Sequence, residues 1–278
     1  MSRIRLEWNV ETQKIDKFDS EDPIAKRARR RRTLRLIMLI GIVLALLTFG
    51  VLVLRQRLLD VQSQLEQLLR ETVHAETAAL RIGDINTFLA VQDSASGTWR
   101  QRQQAVFREY SELKAGHDVD LTGAILDLAI EGQRGRVVVE EIINGARYAQ
   151  VWFYRNLGDK WHHISPDFSF WGEERRLKSD GLSIRYFALD ERLAQAISET
   201  VGGWLRQECE AATCEGGTII TIEIVTEIAN QATAPVAWWP EGAATMQILS
   251  PLAGGRMSVD EPFNSNLQEL AAAVLAAR

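Results

Sequence analysis

An uncharged run of nineteen residues, from Leu36 to Leu54, constrains this chain of 278 residues more than any other feature. The run reads LIMLIGIVLALLTFGVLVL and contains no charge, no proline and no strongly polar side chain. Because an α-helix rises about 1.5 Å per residue, a run of this length reaches across a hydrocarbon core of about 30 Å. The sequence therefore predicts a single transmembrane helix over residues 36–54.

A cleaved signal peptide is the competing interpretation of this run. The apolar centre of a signal peptide spans only about 7 to 15 residues and is followed by a small-residue cleavage site. Here the run is followed by Arg55, Gln56 and Arg57, and 35 residues precede it. These flanks favour a membrane anchor.

The charges on either side of the run predict its orientation. Seven basic residues lie between Lys26 and Arg35, whereas only Arg55 and Arg57 follow closely on the other side. Excess positive charge marks the cytoplasmic side, so residues 1–35 are expected to form a basic cytoplasmic tail. The rest of the chain would then lie outside the inner membrane of a bacterial cell, with the lipid bilayer as a partner. A nucleic-acid partner is not expected, because anionic headgroups explain the basic run beside an apolar span.

The exported region has the composition of a folded protein. The chain is 46% hydrophobic and 25% charged, with a net charge of −5, values typical of globular domains. Cys209 and Cys214 are close in sequence, and in an oxidising compartment such a pair predicts a disulfide. A zinc site would need two more ligands, and the histidines show no spacing that supplies them. No metal or cofactor is expected.

Residues 55–172 are predicted to form one domain that begins with a continuation of the helix. An apolar stripe recurs at helical spacing in this segment, at Leu58, Val61, Leu65, Leu68, Thr72, Ala75 and Ala79. The stripe either packs on the chain's own domain or forms a parallel homodimer contact.

Helical and strand-like patterns follow each other in the same domain. Two helices are predicted, in ETAALRIGDINTFLAVQD and WRQRQQAVFREYSEL, and they are followed by strand-like runs over 124–130, 136–143, 148–155 and 161–165. Asn144-Gly145 between the second and third runs is a strong hairpin signal. Helices followed by an antiparallel meander indicate an α+β fold, with the helices packed on one face of the sheet.

The motifs AALRIGDINTFLAVQD and GDKWHHISPDFSFWG, with the aromatic meander between them, resemble the nuclear-transport-factor-2-like (SnoaL-like) fold. The resemblance covers about Glu71 to Gly172 and implies a curved sheet wrapped by helices. That superfamily includes enzymes, ligand binders and structural modules, so the resemblance does not choose a function.

A charged linker is predicted over 173–182, followed by a smaller α/β unit over 183–278. Its patterns indicate strands over 183–189, 218–226 and 246–251, a helix over 190–208 capped by Asp190, and a final helix over 264–278. The order is similar to the N-terminal subdomain of gluzincin-type zinc metallopeptidases. The chain lacks their H-E-x-x-H motif, so no peptidase activity can be carried over.

Five residues are candidates for a pocket in the first domain: Asp127, Trp152, Tyr154, His162 and His163. Neighbouring residues on a strand point to opposite faces, so His162 and His163 are not expected to hold one metal together. Either histidine, paired with Asp127, is a candidate for proton transfer because imidazole titrates near neutral pH.

The adjacent Trp238 and Trp239 fall in an apparent loop over 230–242. An exposed aromatic pair would be a contact for a partner protein or the membrane surface. Burial of the pair against the final helix is the alternative.

The sequence lacks any recognised catalytic motif, so a non-catalytic binding or scaffold module facing another envelope protein is the expected function. A small-ligand binder or enzyme that uses the concave face of the first domain is the alternative. The layout also resembles the inner-membrane scaffold of type IV secretion systems and the Mce-associated membrane proteins, which implies an assembly component.

Overall fold

The computed structural model describes residues 23–93, 95–158, 160–179, 181–211, 220–227, 237–238, 240 and 245–276. The chain divides into two compact units, with the division between Gln62 and Ser63. The fold combines helices with sheets and has one long apolar helix near the N-terminus. This mixture agrees with the predicted α+β class.

Six helices and eleven strands are described. The helices are α1 (Pro23–Ile82), α2 (Ile85–Val91), α3 (Gly97–Gly116), α4 (Glu191–Ala211), α5 (Pro251–Gly254) and α6 (Ser265–Ala276). The strands are β1 (Val119–Asp120), β2 (Ile125–Glu131), β3 (Arg134–Ile143), β4 (Ala146–Leu157), β5 (Lys160–Ile164), β6 (Glu174–Ser179), β7 (Leu182–Phe187), β8 (Ile220–Val225), β9 (Ala237–Trp238), β10 (Thr245–Leu249) and β11 (Met257–Ser258).

In the first unit, α1 contains the apolar run of Leu36 to Leu54, whose side chains are exposed. The helix is long and apolar enough to cross a membrane, and a signal sequence would pass the same test of length and composition. The helix begins at Pro23, so residues 23–35 of the basic segment are helical.

The helical part of the second unit differs from the prediction in two places. A single helix was expected through ETAALRIGDINTFLAVQD, but α1 ends before Gly83, whose φ of +78° favours glycine. The carboxylate of Asp84 then accepts hydrogen bonds from the backbone amides of Asn86 and Thr87 in the first turn of α2. The buried stripe of α1 is also shifted from the predicted one, because Leu69, Val73 and Leu80 are buried while Leu68 is exposed.

The predicted four-stranded meander is confirmed. Strands β2, β3, β4 and β5 pair antiparallel in sequence order, and β3 and β4 meet at the Asn144-Gly145 turn. Both turn residues have positive φ, of 51° and 80°, as a tight two-residue hairpin requires. The short strand β1 pairs with β3, and β11 pairs with β4.

A second sheet has the order β6-β7-β8-β10-β9. Strands β7, β8 and β10 run parallel, and the connection from β7 to β8 contains α4. The expected linker over 173–182 is wrong, because β6 pairs antiparallel with β7 at the sheet edge. Trp238 likewise lies in β9, beside α6, rather than in a loop.

The described residues of the second unit form two hydrophobic cores. One lies between α1, α2, α3 and one face of the first sheet, and it includes Leu69, Phe88 and Trp152. The other joins the opposite face of that sheet to the second sheet and α4, and it includes Phe153 and Ile222. Because β11 also returns to the first sheet, the predicted separation into domains 55–172 and 183–278 does not match the packing.

Candidate functional site

Strand alternation places an aromatic and polar cluster on the helix-covered face of the first sheet. The register of β3 and β4 pairs Val137 with Trp152, and the register of β4 and β5 pairs Tyr154 with His163. Paired residues in an antiparallel sheet share a face, so these side chains point toward α1 and α3. His162 pairs with Arg155 and therefore points to the other face.

Glu76 of α1 is the centre of this cluster. Its side chain is 1% exposed, and its Oε1 lies 2.7 Å from Nδ1 of His163. Oε1 also accepts from Nε2 of Gln92 at 2.8 Å, and Oε2 accepts from the hydroxyl of Tyr154 at 2.8 Å. These donors compensate for the removal of a carboxylate from water.

The raised pKa of the Tyr154 phenol indicates that its hydroxyl is a hydrogen-bond donor. Burial raises the pKa of the Tyr154 phenol well above its ordinary value, and the nearby Glu76 carboxylate raises it further. The phenol therefore stays protonated and donates to Glu76.

The imidazole of His163 is held in a fixed orientation. Its ring centroid lies 5.0 Å from that of Tyr154 and 5.4 Å from those of Trp99 and Trp152. The backbone carbonyl of His163 accepts from Nε1 of Trp99 at 3.0 Å. Since Nδ1 faces Glu76, Nε2 is the ring nitrogen left for a ligand.

A cavity of about 390 Å³ opens beside this cluster. Along one edge of β4, β11 pairs with the strand up to Ala149 and β5 pairs with it from Phe153 onward. The cavity lies beside the segment from Gln150 to Trp152, which pairs with neither β11 nor β5. Residues from both faces of the sheet therefore reach the cavity. Its volume falls within the range of about 300 to 1,000 Å³ that is common for small-molecule sites.

The cavity wall combines aromatic side chains with a few polar ones. Aromatic rings come from α2, α3, β4 and the segment after β5, namely Phe88, Trp99, Tyr110, Trp152, Phe153, Phe168 and Trp171. Polar and charged groups are contributed by Glu76, Arg102, Gln103, Glu109, His163 and Arg256. Such a wall suits a flat apolar molecule with one or two polar groups.

Arg256 reaches the cavity from the segment between α5 and β11. Its Nε donates to Oε2 of Glu141 at 2.7 Å, and the hydroxyl of Tyr110 donates to the other oxygen of this carboxylate. Burial raises the pKa of Glu141, whereas the hydrogen bond and charge of Arg256 lower it. The guanidinium also lies over the Tyr110 ring, 5.2 Å from its centroid.

The structure brings together three of the five candidate pocket residues. Trp152 and His163 line the cavity. Tyr154 does not line it, but its hydroxyl donates a hydrogen bond to Glu76. The expected partnership of a histidine with Asp127 is wrong, because the Asp127 side chain is 50% exposed and pairs with Arg136 at 2.9 Å. His162 is half-buried on the opposite face, and its Nδ1 has no partner among the described residues.

The remaining predicted residues lie away from the described cavity or outside the description. Trp238 is half-buried in β9, and Trp239 lies outside the described residues. The side chain of Cys209 and the whole of Cys214 also lie outside them, so the disulfide stays a prediction. Within the described part of the chain, no group of three or more histidine, cysteine or acidic side chains could hold a metal ion.

The sequence reasoning missed Glu76, the central acid of the site. Its signal was a charged residue in the buried stripe of an amphipathic helix, between Val73 and Leu80. A charge at such a position is rare unless it is paired. The shifted assignment of the stripe hid it.

Comparison with known proteins supplies no family: no protein-family model matches the chain, and no curated protein matches it.

Proposed function

We propose that the protein binds a small molecule in the cavity beside Glu76 and His163, and that it does so outside the inner membrane of a bacterial cell. Residues Leu36 to Leu54 would be the anchor, with the N-terminus in the cytoplasm. The apolar helix and the seven basic residues that precede it support this topology. The unit that starts at Ser63 would then be extracytoplasmic.

We also propose that the region from Glu71 to Gly172 has a nuclear-transport-factor-2-like fold. Three helices precede a four-stranded antiparallel meander and cover one of its faces, which supports the assignment. A register shift between Ile125 and Asp127 in β2 is the kind of irregularity that bends a sheet. The second sheet lies outside this resemblance, and we keep its similarity to a zinc-peptidase subdomain without the catalytic motif as a proposal.

One observation carries the proposed binding function. The cavity is lined by aromatic rings, yet it contains a buried carboxylate that holds an imidazole in place. The cavity is half-open to solvent, and a concave aromatic wall with a few fixed polar groups is the usual form of a small-molecule site. The cavity therefore favours a small ligand over the purely structural scaffold expected from the sequence. The scaffold function and its envelope partner stay predictions, for which membrane cross-linking is the test.

The binding function is tested with the full chain in lipid nanodiscs. A library of small aromatic compounds is screened by thermal unfolding and by intrinsic tryptophan fluorescence, because Trp99, Trp152 and Trp171 line the cavity. The matched control is Val106→Trp, which places a bulky ring at a half-buried lining position of α3. We expect ligands that stabilise the wild type and not the control. Compounds that stabilise both proteins equally, or none at all, would contradict the proposal.

Proton transfer on the bound molecule is a second candidate function, favoured by the contact between Glu76 and Nδ1 of His163. A carboxylate at Nδ1 orients the imidazole and leaves Nε2 as the nitrogen that would exchange a proton with the bound molecule. In this case His163→Ala abolishes turnover of a bound substrate, whereas a simple binder shows no turnover in either protein.

A further inference from the structure

The orientation of Arg256 in the cavity wall is fixed by two contacts. Its Nε is tied to Glu141, whose side chain is only 1% exposed, and its guanidinium lies over the ring of Tyr110. Both oxygens of Glu141 are engaged, one by Arg256 and one by Tyr110. The carboxylate therefore holds the arginine in one position.

The terminal nitrogens of Arg256 remain available. Only Nε donates to Glu141, and within the described part of the chain no hydrogen bond is found for the two Nη nitrogens. The side chain is 35% exposed and lines the cavity. A guanidinium that presents its Nη edge matches the two oxygens of a carboxylate, and fixing it beforehand reduces the entropy lost on binding.

The other charged groups of the wall are less constrained. Arg102 and Glu109 of α3 are exposed, as Arg256 is, but within the described part of the chain neither side chain makes a hydrogen bond or ion pair that would fix its orientation. Glu76 is already surrounded by three donors. Arg256 is therefore the charged group best placed to bind an ion from the cavity.

We infer that the ligand is a small aromatic anion whose carboxylate binds the Nη edge of Arg256 while its flat body lies among Trp99, Trp152 and Trp171. This inference rests on the proposed binding function. The volume of about 390 Å³ suits a molecule with one or two fused rings and is small for a membrane lipid with two acyl chains. Arg256 lies outside the region that resembles the nuclear-transport-factor-2-like fold, so the resemblance does not imply this ligand class.

The main alternative is that Arg256 only neutralises the buried Glu141. Arg147 offers a matched control, because it forms a comparable pair with Glu140 at 2.7 Å, whose side chain is 10% exposed, and it does not line the cavity. Removing Arg256 alone would leave a buried charge unpaired. We therefore combine Arg256→Met with Glu141→Gln, so that the altered pair carries no charge.

The experiment measures the binding of 2-naphthoate and 2-naphthamide to the full chain in phosphatidylcholine nanodiscs by isothermal titration calorimetry, with empty nanodiscs as the blank. The two probes share a ring system and differ in charge. We expect naphthoate to bind at least about tenfold more tightly than naphthamide, as a charged hydrogen-bonded pair provides. The double variant should lose this preference and Arg256→Lys should retain part of it. The matched double variant, Arg147→Met with Glu140→Gln, should leave it unchanged.

Two results would overturn the inference in distinguishable ways. Equal affinities for the two probes, changed equally by the double variant, would contradict the anionic ligand and leave the binding function standing. If neither probe binds and the wider aromatic library also gives no ligand that Val106→Trp excludes, both the binding function and the inference fail.

Discussion

Glu76 and Asp190 are two buried carboxylates of the second unit, with 1% and 0% of their surface exposed, and their partners differ in kind. Glu76 contacts an imidazole, which can carry a proton, in addition to an amide and a phenol. Asp190 accepts from two neutral groups, Nε1 of Trp171 at 2.7 Å and the hydroxyl of Ser250 at 2.5 Å. The first arrangement suits a charge beside a ligand, and the second suits a structural cross-link.

The places of the two acids in the fold support this difference. Glu76 itself lines the cavity, whereas Asp190 connects two segments that form its wall. Trp171 is one of these wall residues, and Ser250 directly precedes α5, which contributes Leu252 to the wall. The sequence suggested Asp190 as the cap of α4, but its oxygens join these two segments instead. A buried acid can thus shape a binding site without entering it.

We expect the largest loss of unfolding free energy when either acid is replaced by alanine, and we expect the loss to grow with the number of donors that lose their acceptor. Glu76→Ala removes the acceptor of three buried donors, of which the Gln92 amide keeps a longer hydrogen bond to the Phe88 carbonyl, and Asp190→Ala removes the acceptor of two. Because each orphaned buried donor costs about 1 to 3 kcal/mol, we expect losses in the free energy of unfolding of about 5 and about 3 kcal/mol. Urea unfolding followed by tryptophan fluorescence measures both values.

Glu66→Ala is the control for the first substitution, because Glu66 lies on the same helix and forms an exposed pair with Arg70. Its removal should change the free energy of unfolding by less than about 1 kcal/mol. A loss for Asp190→Ala that equals or exceeds the loss for Glu76→Ala would show that donor number does not decide the comparison.

Asp190 should also make the free energy of unfolding depend on pH, with a smaller effect than the Glu76→Ala substitution. Burial raises the pKa of Asp190 from 3.8 to about 6, although the hydrogen bonds from Ser250 and Trp171 oppose the shift. Between these values the folded protein holds a proton that the unfolded chain has released. The free energy of unfolding therefore falls by about 3 kcal/mol as the pH rises from about 4 to above 6, and then levels off.

Asp190→Asn supplies the reference curve for this pH dependence. The amide oxygen can accept from Trp171 and the amide nitrogen can donate to Ser250, so the network keeps its bonds without a titratable group. Subtracting the two stability curves isolates Asp190 from other groups. Parallel curves for the wild type and the variant would contradict the raised pKa.

Local sequence signals sufficed for the meander and failed for the edges of the sheets. Asn144-Gly145 and the alternating runs around it predicted β3 and β4, because turn chemistry and side-chain period act locally. Strand β6 reads as a charged linker, since five of its six residues are exposed and only Leu177 is partly buried. The two residues of β11 gain their strand conformation from pairing with β4, which no local pattern records.

The candidate site was only partly predictable for a related reason. The aromatic strands indicated Trp152, Tyr154 and two adjacent histidines. Only the strand register shows that His163, and not His162, lies on the same face as Trp152 and Tyr154. Their acid partner lies 87 positions away from His163 on a helix. Asp127 was nearer in the sequence and already on the sheet, but its carboxylate is half-exposed and satisfied by Arg136. Pairings over such separations depend on how helix and sheet pack.

We expect the smallest loss of unfolding free energy when each acid loses one hydroxyl donor by substitution. Tyr154→Phe takes a donor from Glu76, and Ser250→Ala takes one from Asp190, with little change in volume in either case. The Ser250 side chain makes no capping hydrogen bond to α5, so the substitution does not remove a helix cap. Each variant should lose about 1 to 2 kcal/mol of unfolding free energy, measured by urea titration.

The two variants should lose similar amounts of unfolding free energy, so their pH dependence is what distinguishes the two acids. The Ser250 hydrogen bond lowers the pKa of Asp190, so Ser250→Ala should raise this pKa and move the fall in stability to higher pH. Tyr154→Phe should leave that midpoint where it is in the wild type, because Tyr154 donates to Glu76. If both variants moved the midpoint equally, the pH response would belong to a network that couples the two cores rather than to Asp190.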